Sequence, residues 1–164
     1  MDIASFLSML FNAPKVLEEL DKLLKSSKGK KKTLLLELKR NVANIELYSK
    51  KKAPIDKVIA NLKVERMEDA FNKGFNFNTF NSERVSKKAT GGVAFYQAYV
   101  GWTTEQLFEN IYLKIVELKD IVSMDTDNPN IRKSVRLLNV LKLIKLLLVH
   151  ISNCLLYTSD AADE

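Results

Sequence analysis

The sequence predicts an all-α fold, a helical bundle of four main helices with a short N-terminal helix and a bent middle helix. Apolar residues recur every three to four positions along most of the chain, which is the spacing of one helix face. The 164 residues are 46% hydrophobic, enough to form one buried core. Only 5 glycines and 3 prolines are present, so the turns that a β-sandwich requires are scarce.

Two amphipathic stretches begin the chain. Apolar residues recur at helical spacing from Ile3 to Phe11, and Pro14 ends or kinks this short helix. A second amphipathic helix is expected over 14–26. The lysine-rich run 25–32 is interpreted as an exposed connector, because its like charges repel and its glycine and serines resist helix formation.

The middle of the chain predicts one straight helix and one bent helix. Thr33 is expected to cap a helix over 33–51, which ends before Pro54 because the residue preceding a proline avoids the helical region. A further helix is expected over 54–73. Its apolar residues change phase near Leu62, which predicts a bend there.

Residues 75–102 interrupt the helical pattern. Apolar and polar residues alternate there, but a single strand would have no partner in this chain. We expect a long loop that covers the core and is held by Phe75, Phe77 and Phe80, with a helical turn around 95–99.

The last two helices have the clearest start signals. Thr103 and Gln106 have the spacing of a capping box, which predicts a helix over 104–123. Asn128 is expected to cap the final helix, 129–152, with the following proline in its first turn.

The chain is expected to be one domain, 1–153, followed by a tail that is not native. The tail, Cys154 to Glu164, reads CLLYTSDAADE and resembles the in-frame translation of a transposon-end sequencing adapter. We therefore interpret the domain as truncated at its C-terminal end, and as the N-terminal part of a longer bacterial protein. The tail holds three acidic residues and no basic one, so without it the formal net charge rises from +6 to +9.

Motifs for catalysis or metal binding are scarce. The chain has one histidine, His150, and one cysteine, Cys154, so a nucleophile–base pair or a cysteine–histidine metal site lacks members. The acidic turn at 125–127 lacks the glycine and glutamate that complete a calcium loop. We expect no enzyme activity, cofactor or metal.

The leading functional hypothesis is a non-catalytic interaction module that binds a protein partner or a second copy of itself. The final helix is apolar nearly all round from Leu137 to Val149, but this run is shorter than a bilayer span and contains two lysines. We expect the contact to use this helix and the aromatic loop. The predicted contact residues are Phe75, Phe77, Trp102, Leu138, Leu141, Lys145 and Leu148.

Two other hypotheses stay open. One is peripheral binding to anionic membranes by the N-terminal helix and the lysine cluster, which together contribute Phe6, Leu10, Phe11, Lys28, Lys30, Lys31 and Lys32. The other is non-specific binding of nucleic acid by the lysine-rich surface; no recognition motif accompanies the lysines, so sequence-specific binding is not expected. The expected location is the cytoplasm, with or without membrane association.

Overall fold

The computed structural model describes residues 13–124, 128 and 130–162, with side chains described between residues 15 and 152. The fold is all-α, as predicted, and these residues contain six α-helices and no strand. The predicted N-terminal helix lies outside them. The helices are α1 (Ala13–Ser26), α2 (Gly29–Lys51), α3 (Ile55–Ala60), α4 (Glu65–Asn72), α5 (Thr104–Ser123) and α6 (Lys133–Ala162), with short 3₁₀ helices at Phe77–Thr79, Lys88–Thr90 and Ala94–Tyr99.

Helix α6 lies at the centre of the fold. Its side chains from Leu137 to Ile151 are buried on nearly every side. It contacts α1, α2, α3, α5 and the 3₁₀ helix Lys88–Thr90. Since a fully buried leucine contributes about 1.5–3 kcal/mol to stability, the apolar run of this helix is the main reason for the other helices to assemble around it.

Helix α2 begins at Gly29, earlier than the predicted start after Thr33. Two residues connect it to α1, and the hydroxyl of Ser27 donates to the Leu23 carbonyl (2.7 Å) where α1 ends. The hydroxyl of Thr33 donates to the Lys30 carbonyl (2.8 Å) inside the helix instead of capping it. Only Ser27 and Lys28 of the predicted connector over 25–32 lie between helices, so that prediction was wrong for the rest of its length. The ion pair of Lys30 with Asp69 and the contact of Lys31 with the Phe80 ring offset the repulsion that was expected to prevent helix formation.

Helix α6 begins at Lys133 rather than at 129. The side-chain oxygen of Asn128 accepts a hydrogen bond from the Asn130 N–H (3.0 Å), which closes a turn instead of the first turn of a helix. The helix continues to Ala162, beyond its predicted end.

The predicted bent helix over 54–73 is two helices, because polar side chains of α2 hold the chain between and beside them. The Asn41 amide donates to the Lys63 carbonyl and accepts from the Lys63 N–H, both at 2.7 Å. The Asn44 amide donates to the Val58 carbonyl at 2.7 Å. These side chains satisfy backbone groups that one continuous helix would pair within itself.

Glu37, one turn before Asn41 on α2, caps the start of α4. Its carboxylate accepts hydrogen bonds from the N–H groups of Arg66 (2.7 Å) and Met67 (3.0 Å). Burial raises the pKa of the Glu37 carboxyl, while these two hydrogen bonds oppose that shift. A side chain distant in sequence thus replaces the local cap that α4 lacks.

Aromatic side chains hold the connection between α4 and α5 on the core, as predicted. Phe77 and Phe80 are buried, and the ring centroid of Phe77 lies 5.0 Å from that of Phe108. The helical turn predicted around 95–99 is the 3₁₀ helix Ala94–Tyr99.

The capping box at the start of α5 is confirmed. The hydroxyl of Thr103 accepts the N–H of Gln106 (3.2 Å), and the Gln106 side chain accepts the N–H of Thr103 (2.8 Å). The capping box therefore defines where the long loop ends and α5 begins.

Replacing Glu37 with alanine is expected to lower the free energy of unfolding by about 2–4 kcal/mol, because the buried Met67 N–H and the partly buried Arg66 N–H lose their acceptor. Urea denaturation followed by circular dichroism measures this loss. Glu46→Ala on the same helix is the control, since the Glu46 carboxylate forms only a 2.7 Å ion pair with Lys50 one turn away. Its expected loss is below about 0.5 kcal/mol. Equal losses for the two variants would contradict the capping role.

Candidate functional site

Most of the predicted partner-contact side chains pack within the core of the chain. Leu138, Leu141, Leu148 and Phe77 are at most 8% exposed. The three leucines are buried because α6 is central and has neighbours on nearly every side, and Phe77 is buried because the loop packs on the core. As placed, these four side chains offer little free surface, and their role in binding stays a prediction.

The other three predicted contact residues, Phe75, Trp102 and Lys145, are half-buried. The ring of Phe75 lies 5.1 Å from that of Phe77, so the structure brings these two aromatic residues together. Trp102 packs edge-on against Tyr99 at 4.8 Å. Lys145 lies at the edge of a cleft instead.

The cleft that includes Lys145 lies between α1 and α6 and has a volume of about 580 Å³. Val16 and Leu148 contribute apolar wall, and Lys15 lies on the α1 side. Lys22, which also lines the cleft, is paired with the Glu19 carboxylate at 3.3 Å. The cleft therefore combines a small apolar wall with charges of both signs.

The residues of the membrane hypothesis are only partly described. Phe6, Leu10 and Phe11 lie outside the described residues. Of the lysines, Lys30 forms an ion pair with Asp69. Lys28 and Lys32 are exposed, and Lys31 is half-buried.

His150 is buried with Asn81 and Thr104 between α6 and the start of α5. The Thr104 hydroxyl donates to the Asn81 carbonyl (2.8 Å), so its oxygen accepts from the Nε2–H of His150 at 3.0 Å. We therefore assign the neutral Nε2–H tautomer, with Nδ1 facing the Asn81 amide nitrogen at 3.4 Å. Asn81 also donates to the His150 carbonyl (2.8 Å), which ties the loop to α6.

The environment of His150 favours its neutral form. Burial lowers the pKa of His150 below its ordinary 6.5, and the negative charge of Glu83 opposes this shift. Both ring nitrogens face protein partners and the residue is 3% exposed. In this arrangement the histidine fastens the loop to the core.

The positive charge of the chain is concentrated on α2 and its flanking residues. Residues 28–52 hold nine lysines and arginines and two glutamates, a formal charge of +7, whereas the rest of the chain holds seventeen basic and eighteen acidic residues. Glu37 is buried and Glu46 is paired with Lys50. The charges on the outer side of α2 are consequently almost all positive.

Seven exposed side chains follow one another along the outer side of α2. The first five follow at steps of three or four residues, and the last two lie three and four residues after the fifth, which places all seven on one helix face. Helix α2 has 23 residues, a length of about 35 Å. Leu36 and Leu47 are each 42% exposed. Lys32, Arg40 and Lys51 have no carboxylate partner in the described part of the chain. We call this set the α2 basic face: Lys32, Leu36, Arg40, Ala43, Leu47, Lys50 and Lys51.

Sequence reasoning missed the α2 basic face. The lysine-rich run 25–32 is interpreted from the sequence as a connector, which separates it from the basic residues that follow Thr33. The signal is the spacing of basic and apolar residues across these two groups, and it becomes clear once the helix is known to begin at Gly29.

Neither metal ligands nor a membrane span can be assigned to the described residues. Over 15–124 and 130–152, where side chains are described, no three His, Cys, Asp or Glu side chains are placed to share a metal ion. No helix in the same part of the chain combines the length and apolar composition needed to cross a bilayer.

Comparisons of the chain with protein-family models, with curated proteins and with solved structures return no match.

Acidification is expected to weaken the fold through His150. Because burial places the folded pKa below 6.5, the contribution of neutral His150 is complete above that value. It is lost as pH falls through the folded pKa, since the unfolded chain binds the proton more readily. Urea denaturation from about pH 8 to pH 5 measures this loss.

His150→Gln supplies the control for acidification, because glutamine does not titrate. The difference in unfolding free energy between the natural protein and this variant is expected to shrink as pH falls below 6.5. A difference that does not change with pH would contradict the assignment of a neutral, buried His150.

Proposed function

We propose that this protein is a non-catalytic helical binding module that docks on an anionic membrane surface through the α2 basic face. The observation that carries the proposal is the concentration of positive charge on one helix, with exposed leucines between the basic residues. The membrane contact is then made by α2, and not by the N-terminal segment that the sequence suggests.

Electrostatic attraction supplies the first part of the binding energy. The α2 basic face carries four cations, Lys32, Arg40, Lys50 and Lys51. A lysine or arginine close to an anionic leaflet gains about 1 kcal/mol. Lys50 is paired with Glu46, so the other three cations contribute about 3 kcal/mol. This attraction decays over a Debye length of about 8 Å at physiological ionic strength, so binding should weaken as salt is added.

Leu36 and Leu47 supply the second part. They lie eleven residues apart, which is close to three full turns, so both point to the same side of α2. Their exposed portions would enter the boundary between headgroups and acyl chains, as on interfacial amphipathic helices. The neighbouring lysine and arginine stems can lie along the same apolar boundary while their charged ends stay in water.

The composition of the face favours a membrane over nucleic acid. None of its seven side chains is aromatic, whereas proteins that bind single strands stack bases on aromatic rings. Phosphodiester backbones would engage the cations but would leave the leucines in water. An acidic amphipathic segment of a partner protein would pair with the cations and cover the leucines. Vesicle binding distinguishes this occupant from a membrane.

Co-sedimentation with vesicles tests the proposal. The protein is expected to bind vesicles of phosphatidylcholine with about 30% phosphatidylserine, and not vesicles of phosphatidylcholine alone. Lys32→Glu/Arg40→Glu should weaken binding at least about tenfold. The matched control is Lys57→Glu/Lys87→Glu, which makes the same charge change at two exposed lysines outside α2. Equal weakening by both variants would show attraction by net charge alone and refute docking through α2.

A second pair of variants locates the apolar contact. Leu36→Ser/Leu47→Ser should weaken vesicle binding several-fold at physiological salt, where charge alone is screened. Phe6→Ser/Phe11→Ser should leave vesicle binding unchanged; loss of binding in that variant would place the anchor in the N-terminal segment.

Binding to duplex DNA tests the nucleic-acid hypothesis. That hypothesis would be favoured if the protein binds duplex DNA in a salt-dependent way but does not bind vesicles, and if Leu36→Ser/Leu47→Ser still binds the DNA. Failure to bind either would leave a protein partner as the remaining ligand.

A further inference from the structure

A second surface cavity lies where α1 turns into α2. It has a volume of about 410 Å³ and adjoins the 3₁₀ helix Phe77–Thr79. Its floor is apolar, and its polar wall combines two lysines with three hydroxyls. The lining residues include Ser26, Ser27, Lys28, Lys31, Thr79 and Phe80.

The two lysines give this cavity an uncompensated positive charge. Neither Lys28 nor Lys31 has a carboxylate partner within the described residues. Lys30, which lies between them in the sequence, forms an ion pair with Asp69. The ammonium group of Lys31 lies 5.6 Å from the centroid of the Phe80 ring, which holds its side chain along the cavity wall.

The two serines provide a hydroxyl donor that can be redirected. Ser26 and Ser27 both donate to the Leu23 carbonyl, at 3.1 and 2.7 Å. If Ser26 turns its hydroxyl toward a ligand, Ser27 keeps that carbonyl satisfied, so the change leaves no unpaired backbone group. The Thr79 hydroxyl donates to the Asn76 carbonyl (2.8 Å), which also accepts the Thr79 N–H at 3.2 Å.

We propose that this cavity binds the phosphate group of a phosphate monoester, on either a soluble metabolite or a lipid headgroup. A phosphate monoester carries a charge of about −1.5 to −2 at pH 7, enough to offset both lysines, whereas a carboxylate offsets one. Its terminal oxygens accept hydrogen bonds from the two ammonium groups and the Ser26 hydroxyl together. The cavity does not depend on the α2 basic face, because neither Lys28 nor Lys31 belongs to it.

Nuclear magnetic resonance titration of the full chain with inorganic phosphate, at constant ionic strength against chloride, tests the proposal. Saturable shifts are expected for the amide signals of residues 26–31 and 79–80. Lys28→Ala/Lys31→Ala should weaken binding at least about tenfold. Lys32→Ala/Arg40→Ala removes the same charge outside the cavity and should change the affinity less than about twofold.

Ser26→Ala separates binding from folding. It should weaken phosphate binding several-fold. The thermal unfolding midpoint should not change, because the Ser27 hydroxyl still donates a hydrogen bond to the Leu23 carbonyl. Shifts that do not saturate, or equal weakening by the two lysine-to-alanine pairs, would show non-specific ion association and overturn the proposal.

Vesicles distinguish the two sources of the phosphate group. Phosphatidic acid presents a phosphate monoester and phosphatidylserine a diester. A lipid headgroup is identified if the protein binds phosphatidic acid vesicles more tightly than phosphatidylserine vesicles and Lys28→Ala/Lys31→Ala abolishes this difference. A soluble ester is identified if inorganic phosphate binds saturably but the two kinds of vesicle are bound equally. Phosphate binding can succeed or fail whether or not phosphatidylserine vesicles bind, so the two proposals fail separately.

Discussion

The burial of α6 on all sides is the constraint on which the structure depends. A helix that is apolar around its circumference needs cover in every direction, and α1, α2, α3, α5 and part of the long loop supply it. Each covering helix must turn its apolar side inward. On α2 the inner side includes Leu34, Leu38 and Ile45, all fully buried or nearly so. The charged residues of α2 are thereby brought together on its outer side.

Polar side chains within the core decide how the shorter segments cover α6. Asn41 binds the chain between α3 and α4, and Glu37 binds the start of α4. From the other side, the Lys119 ammonium group donates to the Ala60 and Leu62 carbonyls at 2.9 and 2.6 Å. Buried polar groups are costly unless they are paired, so these contacts admit few alternative paths for the chain. The His150 cluster fixes the long loop by the same principle.

The distribution of charge links this packing to the proposed functions. Residues outside 28–52 are close to neutral in sum, whereas the α2 segment carries +7. Such asymmetry orients a protein toward an anionic surface before any contact forms. Ion pairs with Asp21 and Asp69 compensate two lysines of this segment, Lys39 and Lys30. Of the seven remaining cations, four belong to the α2 basic face and two, Lys28 and Lys31, line the cavity beside the α1–α2 connection. One basic helix with its flanking residues therefore supplies two surfaces of different geometry.

The sequence by itself determined what depends on neighbouring residues. The all-α class and the capping box of Thr103 follow from spacings of three or four residues. The tertiary structure decided the rest. The break at Lys63 depends on Asn41, and the position of a distant side chain is not encoded in local periodicity. Lys30 looks like its neighbours in the sequence, yet folding brings Asp69 to it and leaves Lys28 and Lys31 to line a cavity, because charge pairing depends on distance in space.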